Sequence, residues 1–285
     1  MTDSMIPVID THLHFWDLAT YPRTGWIEDK PLLYRNYLPE DVKPHFDACS
    51  VNYGVIVEAA RDSHEMNLWW LELAAEYEYI GAVVAGCSLE QDDLAEWFDA
   101  YAESAYFVGV RTSPAGAPDQ WLTNAATRRG LDALNRRELR LDLLLGYETF
   151  AAVAELAAAY PDLGIMLNHC AHPPIREDGF AAWAAALEPL VQHPNIMVKY
   201  SSLLLYSYPD SQLERLRPYT NFLLEHFGPT RLAWGSNWPV ELLGGSYVEA
   251  FGVMDALAVD LSPDERAAVF GGNAQAFYRV ASPAA

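Results

Sequence analysis

Eight short apolar segments alternate with longer amphipathic segments along this chain, and the alternation predicts an α/β fold, a (β/α)8 TIM-like barrel. The length of 285 residues is normal for one such barrel, so residues 1–285 are predicted to form a single domain. Segments 165–167 and 196–198 are continuously apolar, as expected of parallel strands that are covered on both faces.

The predicted strands are short runs of apolar and β-branched residues, at positions 6–10, 53–58, 80–86, 106–111, 139–145, 163–168, 195–200 and 232–235. The predicted helices between them are at positions 64–78, 93–102, 127–135, 149–160, 180–193, 211–226 and 246–258. Asn273 follows two glycines and is predicted to cap a closing helix that ends near Val280. No repeat or linker-like segment indicates a second domain.

Composition excludes several classes of partner and site. The net charge of −21 argues against nucleic acid and anionic membranes, because both require clustered Lys and Arg. The three cysteines (Cys49, Cys87 and Cys170) are too far apart for a disulfide framework or a CxxC metal site. The sequence shows neither a signal peptide nor an apolar run of membrane-spanning length, so a cytoplasmic location is expected.

The longest irregular stretch follows the first predicted strand, from position 15 to position 38, and it is rich in aromatic residues. In a barrel, such a loop lies on the catalytic face, where it is expected to form a wall or lid over a substrate. Trp26 is the candidate substrate contact in this loop. The alternative is that its aromatic rings only pack the loop itself.

Two histidines, His12 and His14, directly follow the first predicted strand. Residues two apart in an extended backbone point the same way, so both imidazoles can reach one metal ion or one oxyanion. The position of the pair after an apolar strand makes it a candidate catalytic element.

Five further ionisable or polar side chains lie at the ends of other predicted strands: Glu58, Arg111, His169, Lys199 and Asn237. Active sites of (β/α)8 barrels lie at the C-terminal ends of the strands. Burying charge without a partner or a purpose is costly, so these residues are predicted to form a site and not merely to pack.

Several of these residues have two interpretations. Arg111 is suited to bind a substrate carboxylate or ring oxygen, or to pair with Glu58 inside the barrel mouth. Lys199 is suited to bind a substrate oxygen or to neutralise a neighbouring carboxylate. Glu58, His172 on the rim of the loop, and Tyr200 are further candidate substrate contacts.

The chain resembles the lactonase branch of the amidohydrolase superfamily, whose members act on sugar lactones and lactones derived from aromatic compounds. The segments that carry the resemblance, between positions 9 and 280, are IDTHLHFWD, MLNHCAHPP, MVKYSSL, WGSNWPV and GGNAQAFYRV. The resemblance implies a distorted (β/α)8 barrel, hydrolysis at the strand ends, and catalytic roles for His12, His14, His169 and position 237.

Position 237 departs from the family pattern, which has Asp in a Gly-Ser-Asp-Trp-Pro motif where this chain has Asn237. In the family the Asp is the general base toward water, and it is a metal ligand in members that carry metal. An amide cannot take that proton, so weak turnover with retained ligand binding is expected. Either an Asp was replaced by design to trap a substrate, or the natural protein has Asn.

The resemblance leaves the metal open. Members with two metal ions use a lysine or a carboxylate of the fourth strand as a bridge, but this chain has no lysine between Lys43 and Lys199 and ends that strand in Arg111. The remaining alternatives are one divalent ion, preferably zinc, on His12, His14 and His169, or a metal-independent site.

The predicted reaction is hydrolysis of a lactone to a hydroxy acid, and the predicted partner is a small-molecule lactone or carboxylate. The first alternative is a non-oxidative decarboxylase on the same scaffold. The others are a Schiff-base lyase that uses Lys199 and a binding protein that lost catalysis through Asn237. The sequence does not identify the lactone, and a homo-oligomer is left open.

Overall fold

The predicted barrel is confirmed by a computed structural model, which describes residues 6–21, 27–59, 63–112 and 116–280. One sheet contains eight parallel strands, each paired with its neighbour in chain order. A parallel bridge between Leu13 and Trp238 joins its two ends. The strands are β1 (Ile9–Leu13), β2 (Tyr53–Val57), β3 (Ile80–Gly86), β4 (Phe107–Thr112), β5 (Arg140–Leu143), β6 (Ile165–Leu167), β7 (Ile196–Tyr200) and β8 (Leu232–Trp234).

Helices surround the sheet, and none within the described ranges has the length and apolar character needed to cross a bilayer. They are α1 (Pro39–Cys49), α2 (His64–Glu76), α3 (Leu94–Tyr101), α4 (Ala125–Arg136), α5 (Phe150–Ala159), α6 (Phe180–Val191), α7 (Leu203–Ser207), α8 (Leu213–His226), α9 (Tyr247–Leu257), α10 (Pro263–Ala267) and α11 (Asn273–Tyr278).

The first strand lies three residues later than predicted. The apolar run that suggested positions 6–10 contains Pro7, which cannot donate to a sheet ladder, and the observed pairing starts at Ile9 opposite Tyr53. As a result His12 lies inside a fully buried strand, and only His14 follows its end.

The prediction that Asn273 caps a separate helix is wrong. The chain is already helical from α10 through a wider turn at Ala268–Gly272, so Asn273 continues an existing helix. Its side-chain amide instead donates to the carbonyls of Pro229 and Leu232, each at 2.7 Å, and this ties the last helix to the start of β8. A tertiary contact of this kind has no signature in the local sequence.

A charge pair lies inside the barrel. The ammonium of Lys199 on β7 is 2.7 Å from a carboxylate oxygen of Asp142 on β5, and both side chains are fully buried. Asp142 also accepts a hydrogen bond of 2.8 Å from the Tyr278 hydroxyl. Lys199 donates in addition to the carbonyl of Thr11, at 2.8 Å, and to Nδ1 of His12, at 3.0 Å. The pair therefore connects three strands and the last helix.

Removing one partner of this ion pair is expected to destabilise the fold, because it leaves the other buried charge without a counter-charge. Lys199→Met should lower the free energy of unfolding in urea by about 3–5 kcal/mol. The double variant Lys199→Met/Asp142→Asn, which removes both charges, should recover a large part of that loss. Equal stability of the single and the double variant would contradict the assignment.

Candidate active site

A cavity of about 220 Å³ opens at the C-terminal ends of the strands. It combines ionisable side chains from the strand ends with apolar side chains from the loops above them. Its lining consists of His14, Trp16, Ala59, Arg111, Leu144, His169, His172, Leu205, Tyr206, Asn237 and Val240.

The orientation of His14 fixes the role of one of its ring nitrogens. Nδ1 lies 2.9 Å from the carbonyl oxygen of Val57, which can only accept, so Nδ1 carries a proton. The other ring nitrogen, Nε2, lies 3.2 Å from Nε2 of His12 and 3.2 Å from Oδ1 of Asn237.

Lys199 fixes the proton of His12 in the same way. Burial lowers the pKa of Lys199 to about 8, which leaves the ammonium as the main form at neutral pH. Its contact with Nδ1 of His12 makes that nitrogen an acceptor and leaves the ring proton on Nε2. Burial, followed by the nearby Lys199 charge, lowers the pKa of His12 well below its usual range, so the ring is neutral.

Arg111 is held in place by Glu58. Its Nε donates to a carboxylate oxygen of Glu58 at 2.8 Å, and its Nη2 donates to the backbone carbonyl of the same residue. The third nitrogen, Nη1, lies 3.3 Å from Nε2 of His12. Both side chains of the ion pair are less than a tenth exposed. Arg111 thus both forms the pair that was one of its two predicted roles and lines the cavity.

The segment after β6 forms a left-handed turn. Its four residues all have positive φ, between 49° and 57°: His169, Cys170, Ala171 and His172. Residues other than glycine rarely adopt this backbone conformation. Such backbone costs about 1–3 kcal/mol per residue and is often found at functional sites. The turn brings His169 and His172 into the same cavity.

The imidazole of His169 is neutral, and two serine hydroxyls contact one of its ring nitrogens. Burial, followed by the proximity of His172, lowers its pKa well below the usual range. Its Nδ1 lies 3.1 Å from the hydroxyl of Ser201 and 3.0 Å from that of Ser202, just after β7. The neighbouring Cys170 is not a nucleophile candidate, since burial raises the pKa of its thiol to about 12.

Asn237 follows β8 in the left-handed region, with φ of 63°, a conformation that Asn tolerates better than most residues. Its backbone N–H donates to the carbonyl of His12 at 2.9 Å, and its carbonyl accepts from the N–H of Glu241 at 3.0 Å. Next to it, Asp10 accepts the backbone N–H groups of His12 and Ser236. Sequence reasoning did not select Asp10, whose carboxylate joins β1 to the end of β8.

Three of the sequence-predicted substrate contacts lie below the cavity and do not line it. Glu58 holds Arg111, Lys199 holds His12, and Tyr200 is fully buried. His12, predicted as catalytic, is also fully buried and lies outside the lining. Trp26 lies outside the described residues.

The sequence missed lining residues on the loops. Trp16 lines the cavity and belongs to the aromatic loop at positions 15–38. Because that loop was expected to lie over the substrate, its aromatic residues were the sequence signal that could have identified Trp16 as a lining residue. Tyr206 lies on α7, which was not predicted, and its hydroxyl is 3.0 Å from Nδ1 of His172. Burial lowers the pKa of His172 to about 4, so this ring is neutral as well.

The amidohydrolase family model matches residues 9–280, which is most of the chain. The chain belongs to the amidohydrolase family. The match covers all eight strands and every residue that lines the cavity.

Two curated relatives and one solved structure are similar over nearly the whole length. An L-fucono-1,5-lactonase from Burkholderia ambifaria is 33% identical, over 96% of each chain. An L-fucono-1,5-lactonase from Burkholderia multivorans is 30% identical, over 97% of each chain. A crystal structure of an amidohydrolase from Burkholderia multivorans, with bound zinc, is 30% identical with a TM-score of 0.88. It covers 96% of this chain and 100% of that one. These relatives support a hydrolase.

The donor set of this chain does not fit the zinc site that was predicted on three histidines. The described residues contain no group of three His, Cys, Asp or Glu side chains placed to hold a metal ion. Nε2 of His12 carries the ring proton and lies 3.3 Å from the Arg111 cation, whereas a metal ligand needs a free lone pair there. Asn237 offers only a neutral amide oxygen beside His14.

Replacing the amide by a carboxylate is therefore expected to improve zinc binding. Asn237→Asp places a charged oxygen about where Oδ1 now lies, 3.2 Å from Nε2 of His14. Titration calorimetry should show zinc affinity at least about tenfold higher than in the parent protein. Adding His14→Ala should remove that gain, and an unchanged affinity in Asn237→Asp would show that position 237 does not face a metal.

Glu241 is a buried carboxyl that sequence reasoning also missed. It follows β8 at 2% exposure, and burial raises its pKa from 4.5 to about 8. The folded protein therefore binds a proton that the unfolded chain releases above pH 4.5. This stabilises the fold at low pH, and the contribution is lost as the pH rises through 8.

The variant Glu241→Gln lacks this titration. In urea denaturation, the parent protein should lose stability relative to the variant as the pH is raised from 4.5 to 8. A difference in stability that does not change with pH would rule out a buried protonated carboxyl.

Proposed function

We propose that this amidohydrolase opens the ring of a sugar-derived 1,5-lactone with water to give a hydroxy acid. The observation that carries the proposal is the Arg111 guanidinium, which is fixed by Glu58 and lines a cavity otherwise formed by imidazoles, a phenol, an amide and apolar side chains. The curated relatives that span the same length, named L-fucono-1,5-lactonases, support a sugar lactone as substrate.

The size of the cavity favours a single small ring. Its volume of about 220 Å³ is below the range of roughly 300–1,000 Å³ that is usual for drug-sized ligands. Trp16 and Leu205 supply apolar surface for a ring face, and His172 and Tyr206 supply groups for hydroxyls. This combination suits a hydroxylated six-membered ring.

Arg111 is the group that polarises the carbonyl. Two of its nitrogens already donate hydrogen bonds to Glu58, so the orientation of the guanidinium is set before substrate binds. A preorganised cation next to the carbonyl oxygen stabilises the negative charge that develops there when water adds.

The proton of the attacking water requires a base, and Asn237 cannot take it. Nε2 of His14 lies against Nε2 of His12, and both ring nitrogens of His172 lie within 3.3 Å of the Tyr206 hydroxyl, so we assign the base to the third imidazole of the cavity, His169. In this scheme, Nε2 of His169 takes a proton while the water oxygen bonds to the carbonyl carbon. The ring C–O bond then breaks, and the leaving alkoxide takes the proton back. Asn237 positions the water or the substrate.

The test is hydrolysis of a panel of aldono-1,5-lactones, beginning with L-fucono-1,5-lactone, followed by acid release and by mass spectrometry. A product heavier by one water supports the proposal. Loss of carbon dioxide from an unsaturated acid would instead support the decarboxylase. No turnover of any lactone would overturn the proposal.

Arg111 provides the matched variants. Arg111→Gln/Glu58→Gln removes both charges and so avoids an unpaired buried carboxylate. It should lower kcat about 10²–10³-fold. Glu58→Gln alone keeps the cation and should lower kcat much less.

The variant Asn237→Asp tests whether His169 or position 237 supplies the base. A rise in kcat of several orders of magnitude in this variant would assign the base to position 237.

A further inference from the structure

A short extra helix brings a phenol into the cavity. Strand β7 is followed by two helices, α7 and α8, where the repeat of the barrel needs only one. Two residues of α7, Leu205 and Tyr206, line the cavity. The proposed proton transfers use neither side chain, so the polar group of Tyr206 is left without a part in the chemistry.

The backbone of α7 is fixed by two neighbouring loops. Oε1 of Glu241, in the turn after β8, accepts the N–H of Leu205 at 3.2 Å. Arg176, in the loop after β6, donates to the carbonyl of the same residue. The turn after β8 also packs directly against α7, because a Cβ at Gly244 would lie only 2.6 Å from the backbone nitrogen of Leu205. The position of Tyr206, the next residue, is therefore set by the fold before a ligand binds.

The hydroxyl of Tyr206 meets His172 at one side of the cavity. It lies 3.0 Å from Nδ1 and 3.3 Å from Nε2 of that ring. Burial raises the pKa of Tyr206 above its usual range and lowers the pKa of His172 to about 4, so both groups are uncharged at neutral pH. A phenol and a neutral imidazole can each donate and accept a hydrogen bond, and so can an alcohol. The pair therefore suits a hydroxyl group and offers no counter-charge to an anion.

This pair lies beside the proposed base. The ring centroids of Tyr206 and His169 are 6.4 Å apart, and those of His172 and His169 are 5.8 Å apart. In the proposed reaction Arg111 binds the carbonyl oxygen, and the carbonyl carbon lies within reach of His169. The other carbons of the same small ring are then within reach of the pair, which is placed to contact a substituent of the ring.

We propose that Tyr206 is a specificity-determining residue which, together with His172, binds a ring hydroxyl of the substrate and makes the enzyme prefer hydroxylated lactones to unsubstituted ones. This assignment rests on the proposed lactone hydrolysis and gives Tyr206 a part in substrate selection, not in proton transfer. A site built to bind a hydroxyl group discriminates against an analogue that lacks it, because the polar groups of the site then lose a partner.

The test compares kcat/KM for two lactones of the same ring size. One is L-fucono-1,5-lactone, or the aldono-1,5-lactone of the panel that is hydrolysed fastest, and the other is δ-valerolactone, which carries no hydroxyl. The parent protein should prefer the hydroxylated lactone. Tyr206→Phe removes only the phenolic oxygen, so kcat/KM for the hydroxylated lactone should fall roughly five- to tenfold, the usual effect of one hydrogen bond between uncharged groups. For δ-valerolactone it should stay within about twofold.

Tyr208→Phe is the matched control. It removes the same atom from an exposed phenol two residues later, outside the cavity lining, and should leave kcat/KM for both lactones unchanged. Equal losses for the two lactones in Tyr206→Phe would overturn the proposal, because they would assign the phenol to the chemical step or to the fold. An unchanged preference in Tyr206→Phe would overturn it as well.

A second variant tests the contribution of His172. His172→Asn keeps a residue that tolerates the left-handed backbone at this position, and it should also lower the preference for the hydroxylated lactone. Because both side chains bind one hydroxyl, the loss in the double variant with Tyr206→Phe should be smaller than the product of the single losses. A full product would contradict the shared contact. A parent protein that hydrolyses no lactone overturns the proposed function, whereas an active parent with the same preference in Tyr206→Phe overturns only the role of Tyr206.

Discussion

The ammonium of Lys199, buried against Asp142, is the interaction on which the rest of the site depends. It holds together β1, β5 and β7, and through the hydroxyl of Tyr278 it includes the last helix. It also determines where the proton of His12 lies. An ion pair inside the barrel thereby sets the hydrogen-bond direction of His12, which lies directly against His14 in the cavity.

Much of the fold could be predicted from the sequence, because a barrel repeats one simple pattern eight times. The two errors have different causes. Pro7 is a local signal against a strand that starts at position 6, and it was outweighed by the apolar run around it. Asn273 donates to the carbonyl at the start of β8 instead of capping a helix, and this contact depends on a partner that only the folded chain brings close.

The site could be predicted only in part. Arg111 lies near the end of β4 and His169 follows β6, and the structure places both in the cavity. Lys199 was equally visible, but its strand turns it into the barrel, because the face that a strand residue occupies depends on register. Ser202 and Glu241 lie on turns whose left-handed and tightly bonded backbone leaves no mark in composition or periodicity.

The net charge of the site bears on the last step of the proposed reaction. Arg111 is paired with Glu58, Asn237 is neutral, and the lowered pKa values of His169 and His172 keep these rings neutral. In the proposed reaction an uncharged lactone enters this site and an anionic acid leaves it. The net charge of −21 repels that anion from the protein. For the proposed reaction, we therefore expect weak inhibition by the product.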